Sequence, residues 1–159
     1  MKKTIFFISI VFVSTFFQAQ EETITLQTSA GNIEGTLLLP SVEKPTIALI
    51  IAGSGPTDRD GNSSGLKMNY LKMLAEGLYE NNIASIRYDK RGIGASVIPG
   101  LKEDDLTFSH FISDAELWMD KIMDDSRFGD IVVIGHSEGS LIGMIASQNK
   151  KPNKFISIA

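Results

Sequence analysis

The strongest chemical signal in the chain is five residues long: Gly135-His136-Ser137-Glu138-Gly139. The spacing G-x-S-x-G sets one hydroxyl between two residues without side chains. Alone it says little, since three fixed positions arise by chance in about one chain of this length in twenty. Its surroundings say more. It directly follows Asp-Ile-Val-Val-Ile, a buried-strand run, and precedes Leu141, Ile142, Ile145 and Ala146 at helical spacing. A sharp strand-to-helix turn is what a nucleophile elbow demands. Side chains flanking so tight a turn would collide, which explains the glycines. The turn lifts the Ser137 hydroxyl above a sheet and sets it at a helix N-terminus. There the backbone N–H of Glu138 can stabilise a developing oxyanion.

A second N–H donor is expected from another loop of small residues, Ala52-Gly53-Ser54-Gly55-Pro56, after the apolar run Thr46–Ala52. The N–H of Ser54 is the favoured donor, with Gly55 as the alternative; a flexible surface loop is the plainer reading of the same residues. Two other motifs fail on spacing. Asp58-Arg59-Asp60-Gly61-Asn62 resembles a calcium loop, but its Gly stands at the fourth place and position twelve is Asn69 instead of Glu. Gly92-Ile93-Gly94-Ala95-Ser96-Val97 lacks the third Gly of a dinucleotide fingerprint, and no Gly-Lys-Ser/Thr phosphate loop occurs.

The elements that must position these residues follow from periodicity. Thr23–Thr28, a turn at Ser29-Ala30-Gly31-Asn32, and Ile33–Leu39 form a β-hairpin signature. Thr46–Ala52 is continuously apolar, as a strand buried on both faces must be. A Gly-rich loop spans Gly53 to Gly65, and Met68, Leu71, Leu74, Ala75 and Leu78 then recur at helical spacing. Ile83–Tyr88 is a strand and residues 89–106 a loop. Phe108, Phe111, Ile112, Ala115, Trp118, Met119 and Ile122 make one helical face, with Trp118 and its neighbours as core. Ile131–Gly135 and Phe155–Ala159 are further strands. Repeated βα units after a hairpin imply an α/β fold with a mostly parallel sheet.

Composition narrows the function classes. The 159 residues suit one domain. Fifteen Lys+Arg against nineteen Asp+Glu give a net charge of −4, poor for binding nucleic acid. The absence of Cys excludes disulfides, a thiolate metal site and a cysteine nucleophile. Two histidines, His110 and His136, leave little for a histidine-rich metal site, and no motif asks for a cofactor. Lys2 and Lys3 precede an apolar run, Ile5 to Phe17, too short for the roughly 20 residues of a spanning helix. Residues 1–20 therefore read as a signal peptide, cleaved after Ala19 or Gln20, with no stable membrane anchor afterwards. The expected location is periplasmic or extracellular. Removal takes two lysines and no acid, deepening the charge to −6 for residues 21–159.

Taken together, Ser137 in its elbow, IAGSGPTDRDGN after the third strand, and Asp89-Lys90-Arg91-Gly92-Ile93-Gly94-Ala95-Ser96 after the fourth resemble the α/β-hydrolases. The nearest likeness is to exported bacterial carboxylesterases, a group close to the serine aminopeptidase-like hydrolases. It covers about residues 23–159. The resemblance implies Ser137 as nucleophile, the N–H groups of Ser54 and Glu138 as oxyanion hole, and a small-molecule ester as substrate. It makes the loop 89–96 mostly structural, Asp89 and Arg91 included.

The departure from that family is equally informative. Its members order their triad Ser, then Asp or Glu, then His. After Ser137 this chain has one acid, Glu138, and no His. The elbow should direct His136 away from the hydroxyl, and His110 falls on a helix before it. A serine without a base is a weak nucleophile. The residues thus read as an α/β-hydrolase domain cut after its sixth main strand, with Phe155–Ala159 left as an exposed apolar edge and poor solubility as the expected consequence. A non-catalytic binding module is the competing class.

Overall fold

Polar Thr23, Thr25 and Gln27 alternate with Ile24 and Leu26, so a strand built from them has one face to bury. The computed structural model, which describes residues 21–159, pairs this strand β1 (Glu21–Thr28) antiparallel with β2 (Gly31–Leu38). The signal-peptide reading of residues 1–20 lies outside the described residues. The hairpin connection is shorter than its sequence implies. Thr28 Oγ1 accepts the N–H groups of Ala30 and Gly31 and donates to the Gly31 carbonyl, so only Ser29 and Ala30 lie outside the strands.

The remaining elements alternate in chain order: β3 (Ile47–Ile51), α1 (Tyr70–Glu80), β4 (Ala84–Tyr88), α2 (Phe108–Met123), β5 (Ile131–His136), α3 (Glu138–Lys150) and β6 (Lys154–Ile158). A short 3-10 turn at Glu103–Asp105 interrupts the loop before α2. The six strands form one sheet in the order β1-β2-β4-β3-β5-β6. β4, β3, β5 and β6 run parallel; β1 and β2 pair antiparallel with their neighbours. A hairpin followed by a mostly parallel sheet is the architecture that the resemblance implies, with β6 on its edge.

The continuous apolar run of β3 has the expected cause. Ile47, Leu49 and Ile51 pack on one side with Trp118, Met119 and Ile122 of α2 and Ile142 and Ala146 of α3. Ala48 and Ile50 pack on the other with Leu71 and Ala75 of α1. Each of these large apolar side chains contributes about 1.5–3 kcal/mol on burial. The sheet thus sits between α1 and the α2/α3 pair. After β3 the chain moves to β4 on one side and then to β5 on the other. Ligands of open α/β sheets bind at the carboxyl ends of strands flanking such a reversal, and the loops after β3, β4 and β5 all emerge there.

One expectation fails. Met68 stands at helical spacing with Leu71, Leu74, Ala75 and Leu78, yet it precedes α1 and is 55% exposed. Asn62 Oδ1 accepts the N–H groups of both Met68 and Asn69, and Asn69 takes a left-handed conformation, φ 52°. The helix therefore starts at Tyr70. Leu141 lies in α3 as its spacing implies and is 47% exposed there.

Candidate active site

Ser137 occupies the one-residue junction between β5 and α3, at φ 50° and ψ −120°. Left-handed φ is costly for a residue with a Cβ, about 1–3 kcal/mol, and survives only where the surroundings impose it. Here they do. A Cβ on Gly135 would lie 2.2 Å from the Gly139 carbonyl oxygen, and one on Gly139 would lie 2.3 Å from the Ile51 carbonyl oxygen. Both obstacles are backbone, which cannot rotate away. The turn closes with the Ser140 N–H on the Ser137 carbonyl at 2.9 Å, the Ser140 hydroxyl on the Gly135 carbonyl at 2.6 Å, and the Ser137 N–H on the Ile158 carbonyl of β6 at 2.8 Å. Ser137 is exposed, with Glu138 opening α3 beside it. The first N–H groups of a helix lack intrahelical partners and carry its positive dipole end.

The loop after β3 meets this elbow. A Cβ on Gly53 would come within 3.3 Å of the Ser137 Cβ and 3.1 Å of His136 Nδ1. The absence of that carbon lets the loop lie directly against the serine. Ser54 and Gly55, the alternative donors, follow at once and are exposed. The structure therefore brings Ser137, Glu138 and the start of the 53–56 loop together at the carboxyl ends of β3 and β5.

Charge holds the rest of that loop. Arg59 donates its N–H to Asp89 Oδ1 at 2.7 Å, and its guanidinium reaches Asp89 Oδ2 and Glu34 Oε1, each at 2.7 Å. Asp60 accepts from Arg87 Nε at 2.7 Å, and Arg87 also bonds Glu21 at 2.6 Å. Asp58 Oδ1 caps the N–H groups of Asp60 and Asn62. The stretch that resembled a calcium loop thus commits its carboxylates to arginines and backbone. Asp89 also accepts the Ala95 N–H at 2.8 Å, and a Cβ on Gly94 would strike its carboxylate. Arg91 makes a buried, bidentate pair with Asp114 of α2. Both residues brace the loop after β4 and neither faces outward.

A cavity of about 490 Å³ opens beside the elbow, walled by Gly55, Pro56, Lys90, Ile93, Phe111 and Glu138 among others. It reaches the neighbour of Ser137 but not Ser137. Lys90 is the cation nearest the elbow in this wall. Its ammonium is almost wholly buried, donates to the Gly53 carbonyl and lies 3.5 Å from Glu138 Oε2. Burial lowers its pKa below the ordinary lysine value, with Glu138 opposing the shift. The motif Asp89–Ser96 contains Lys90, but nothing in the sequence assigns it a role. Its only local signal is a charged residue two places beyond the fully buried strand β4.

Neither histidine hydrogen-bonds the Ser137 side chain; each ring has another partner. His110 lies in the first turn of α2, where its Nδ1 accepts the Thr107 N–H at 3.1 Å. The His136 ring packs on Tyr70, centroids 4.9 Å apart, with Tyr70 Oη 3.4 Å from its Nδ1.

Comparison with known proteins places these features in a family. A family model described as serine aminopeptidase, S33, matches residues 65–159, more than half of the chain. No curated protein matches the sequence. Solved structures do. A serine hydrolase without lid from Xanthomonas campestris is 20% identical, with a TM-score of 0.64, 89% of this chain covered and 62% of the other. Est1E from Butyrivibrio proteoclasticus, solved with ferulic acid, is 21% identical, with a TM-score of 0.66, covering 80% of this chain and 48% of its own. A serine hydrolase homologue from Coxiella burnetii is 21% identical, with a TM-score of 0.64 and shares of 94% and 64%. The chain thus spans about half to two thirds of the length of these structures.

Proposed function

This chain belongs to the serine aminopeptidase S33 family of α/β hydrolases, and from that premise we propose that Ser137 is the nucleophile of an exported hydrolase acting on small carboxylic esters. The observation that carries the reading is the left-handed Ser137 at the head of α3, held by two glycines that backbone packing forbids to be anything else. In the proposed cycle the Ser137 Oγ attacks the ester carbonyl and passes its proton to a base. The N–H groups of Ser54 and Glu138 receive the oxyanion, the alcohol leaves, and water releases the acid from the acyl-enzyme. Since neither histidine of the chain is placed for it, the base and its orienting acid are proposed to come from outside residues 21–159. An ester as substrate is supported by the esterase character of similar structures, Est1E with ferulic acid and a cold-adapted esterase from an Arctic intertidal library among them. Peptide cleavage is the runner-up, favoured by the family's description.

The lack of a base beside Ser137 among the described residues favours one further reading, a binding module without turnover. A fluorophosphonate probe separates the two. In the intact enzyme it labels Ser137, and Ser137→Ala abolishes both labelling and p-nitrophenyl acetate hydrolysis, a loss of several orders of magnitude. Hydrolysis that survives Ser137→Ala refutes the nucleophile assignment, and absence of labelling in the intact protein favours the module.

A further inference from the structure

An ammonium withdrawn from water is expensive unless charge and hydrogen bonds compensate it. Lys90 makes that sacrifice at one place only, between the two strands of chain that carry the proposed oxyanion donors. Its side chain is 4% exposed, donates to the Gly53 carbonyl, stands 3.5 Å from Glu138 Oε2, and lies 5.6 Å over the Phe111 ring. The Gly53 carbonyl and the Ser54 N–H belong to one planar trans peptide, so they point in opposite directions. Whatever fixes the carbonyl aims the N–H. Gly53 has no side chain to restrain this peptide, and Ser54 beyond it is exposed. On the other side, Glu138 supplies the second N–H from its own backbone.

We propose that Lys90 is the positioning residue of the oxyanion hole: its ammonium grips the Gly53 carbonyl and the Glu138 carboxylate at once, turning the Ser54 N–H away from itself and over Ser137 and fixing the two donors at one spacing. The inference rests on the hydrolase reading above and goes beyond it, because it gives a buried charge a task that the elbow does not perform. A cation on the carbonyl also polarises the peptide and strengthens its N–H as a donor. Its effect is felt where negative charge develops, and therefore in the transition state more than in substrate binding.

The test uses the intact enzyme, p-nitrophenyl acetate, and phenylboronic acid as a tetrahedral adduct of the serine. Lys90→Met should lower kcat by about 10²-fold, the scale of losing one oxyanion donor. KM should stay within about threefold, and boronate affinity should fall in parallel with kcat. Lys90→Arg, which keeps a cation, should recover kcat to within about tenfold of wild type. The charged group against Lys90 is Glu138 of α3, and the others lining the same cavity are Arg91, itself paired with Asp114 of α2, Lys102 and Glu103. Since burial lowers the Lys90 pKa, wild-type kcat should decline in alkali before an ordinary lysine would titrate, and Lys90→Arg should remove that limb. If Lys90→Met does not fold, the alkaline limb of wild type against Lys90→Arg decides alone. An unchanged kcat, or a loss shared equally by KM and melting temperature that Arg fails to rescue, overturns the proposal. Hydrolysis that persists in Ser137→Ala overturns the reading beneath it, whatever Lys90 does.

Discussion

The elbow at 135–139 and the loop at 53–69 meet at one point, yet opposite physics holds them in place. The elbow is held by excluded volume. Its glycines lie so close to neighbouring backbone that a single carbon would sit 2.2 or 2.3 Å from a carbonyl oxygen. That steric fit itself uses no ion pair; the Glu138 carboxylate at the head of α3 meets Lys90 outside it. The loop is held by charge. Arg59 grips Asp89 and Glu34, and Arg87 grips Asp60 and Glu21, across separations of 25 to 66 residues. Steric closeness dictates the residue type at its own position. An ion pair dictates only that some opposite charge arrive from somewhere.

The contrast is broken most forcefully at Gly139. Gly139→Ala sets a methyl against the Ile51 and Ala52 carbonyls, 2.3 and 2.6 Å away, and neither can swing aside. The expected cost is about 3 kcal/mol or more, a large part of a domain's total stability of about 5–15 kcal/mol. Thermal unfolding of the purified variant should show a collapse in melting temperature or little folded protein at all. A variant that melts within about 2 °C of wild type would mean the elbow has room that the backbone distances deny.

Removing the loop's main cation comes next. Arg59 has a side chain 12% exposed and Asp89 one 4% exposed, so Arg59→Met strands a buried carboxylate. Breaking such a pair from one side costs about 3–5 kcal/mol when burial is complete, and about 2–4 kcal/mol is expected here. A double-mutant cycle with Asp89→Asn should recover part of that loss as coupling of at least about 1 kcal/mol. Amide exchange should quicken across residues 54–62 while α3 stays protected. Coupling near zero would show that the loop is held by packing, as the elbow is.

The same difference decides what could be read from the sequence. The elbow was legible as a pentapeptide because its requirement is local: only glycine fits at 135 and 139, and a strand and a helix adjoin them. β3 was legible because burial on both faces leaves no polar position in Ile47–Ile51. The order of loops followed from these. The loop's architecture was not legible, since nothing near Arg59 names Asp89 as its partner. Met68 was misplaced for a related reason. Helical spacing continues through it, but an Asn62 side chain six residues away takes its N–H and starts the helix later. Lys90 stands inside a motif that names no task for it, and its contacts with Gly53 and Glu138 come from the 53–56 loop and the head of α3, both distant in sequence.

The smallest predicted effect isolates burial as the reason the loop's pairs matter. Arg127 and Asp125 repeat the chemistry of Arg59 and Asp89, guanidinium on carboxylate at 2.7 Å, with side chains 45% and 26% exposed. Their hydrogen bonds hold the Asp125 pKa below its ordinary value of 3.8. A depressed carboxylate pKa adds stability that is present above the unfolded value and disappears as pH falls through the folded one. Solvent screens a pair this exposed, so Arg127→Ala should cost only about 0.2–0.5 kcal/mol at pH 7. That difference from wild type should shrink in 1 M salt, where the screening length is about 3 Å, and vanish in acid below the aspartate range. Urea unfolding at the two pH values and two salt concentrations measures it. If Arg127→Ala costs as much as Arg59→Met, desolvation is not what gives the loop's pairs their strength, and the division between a sterically built elbow and a loop clamped by buried charge loses its basis.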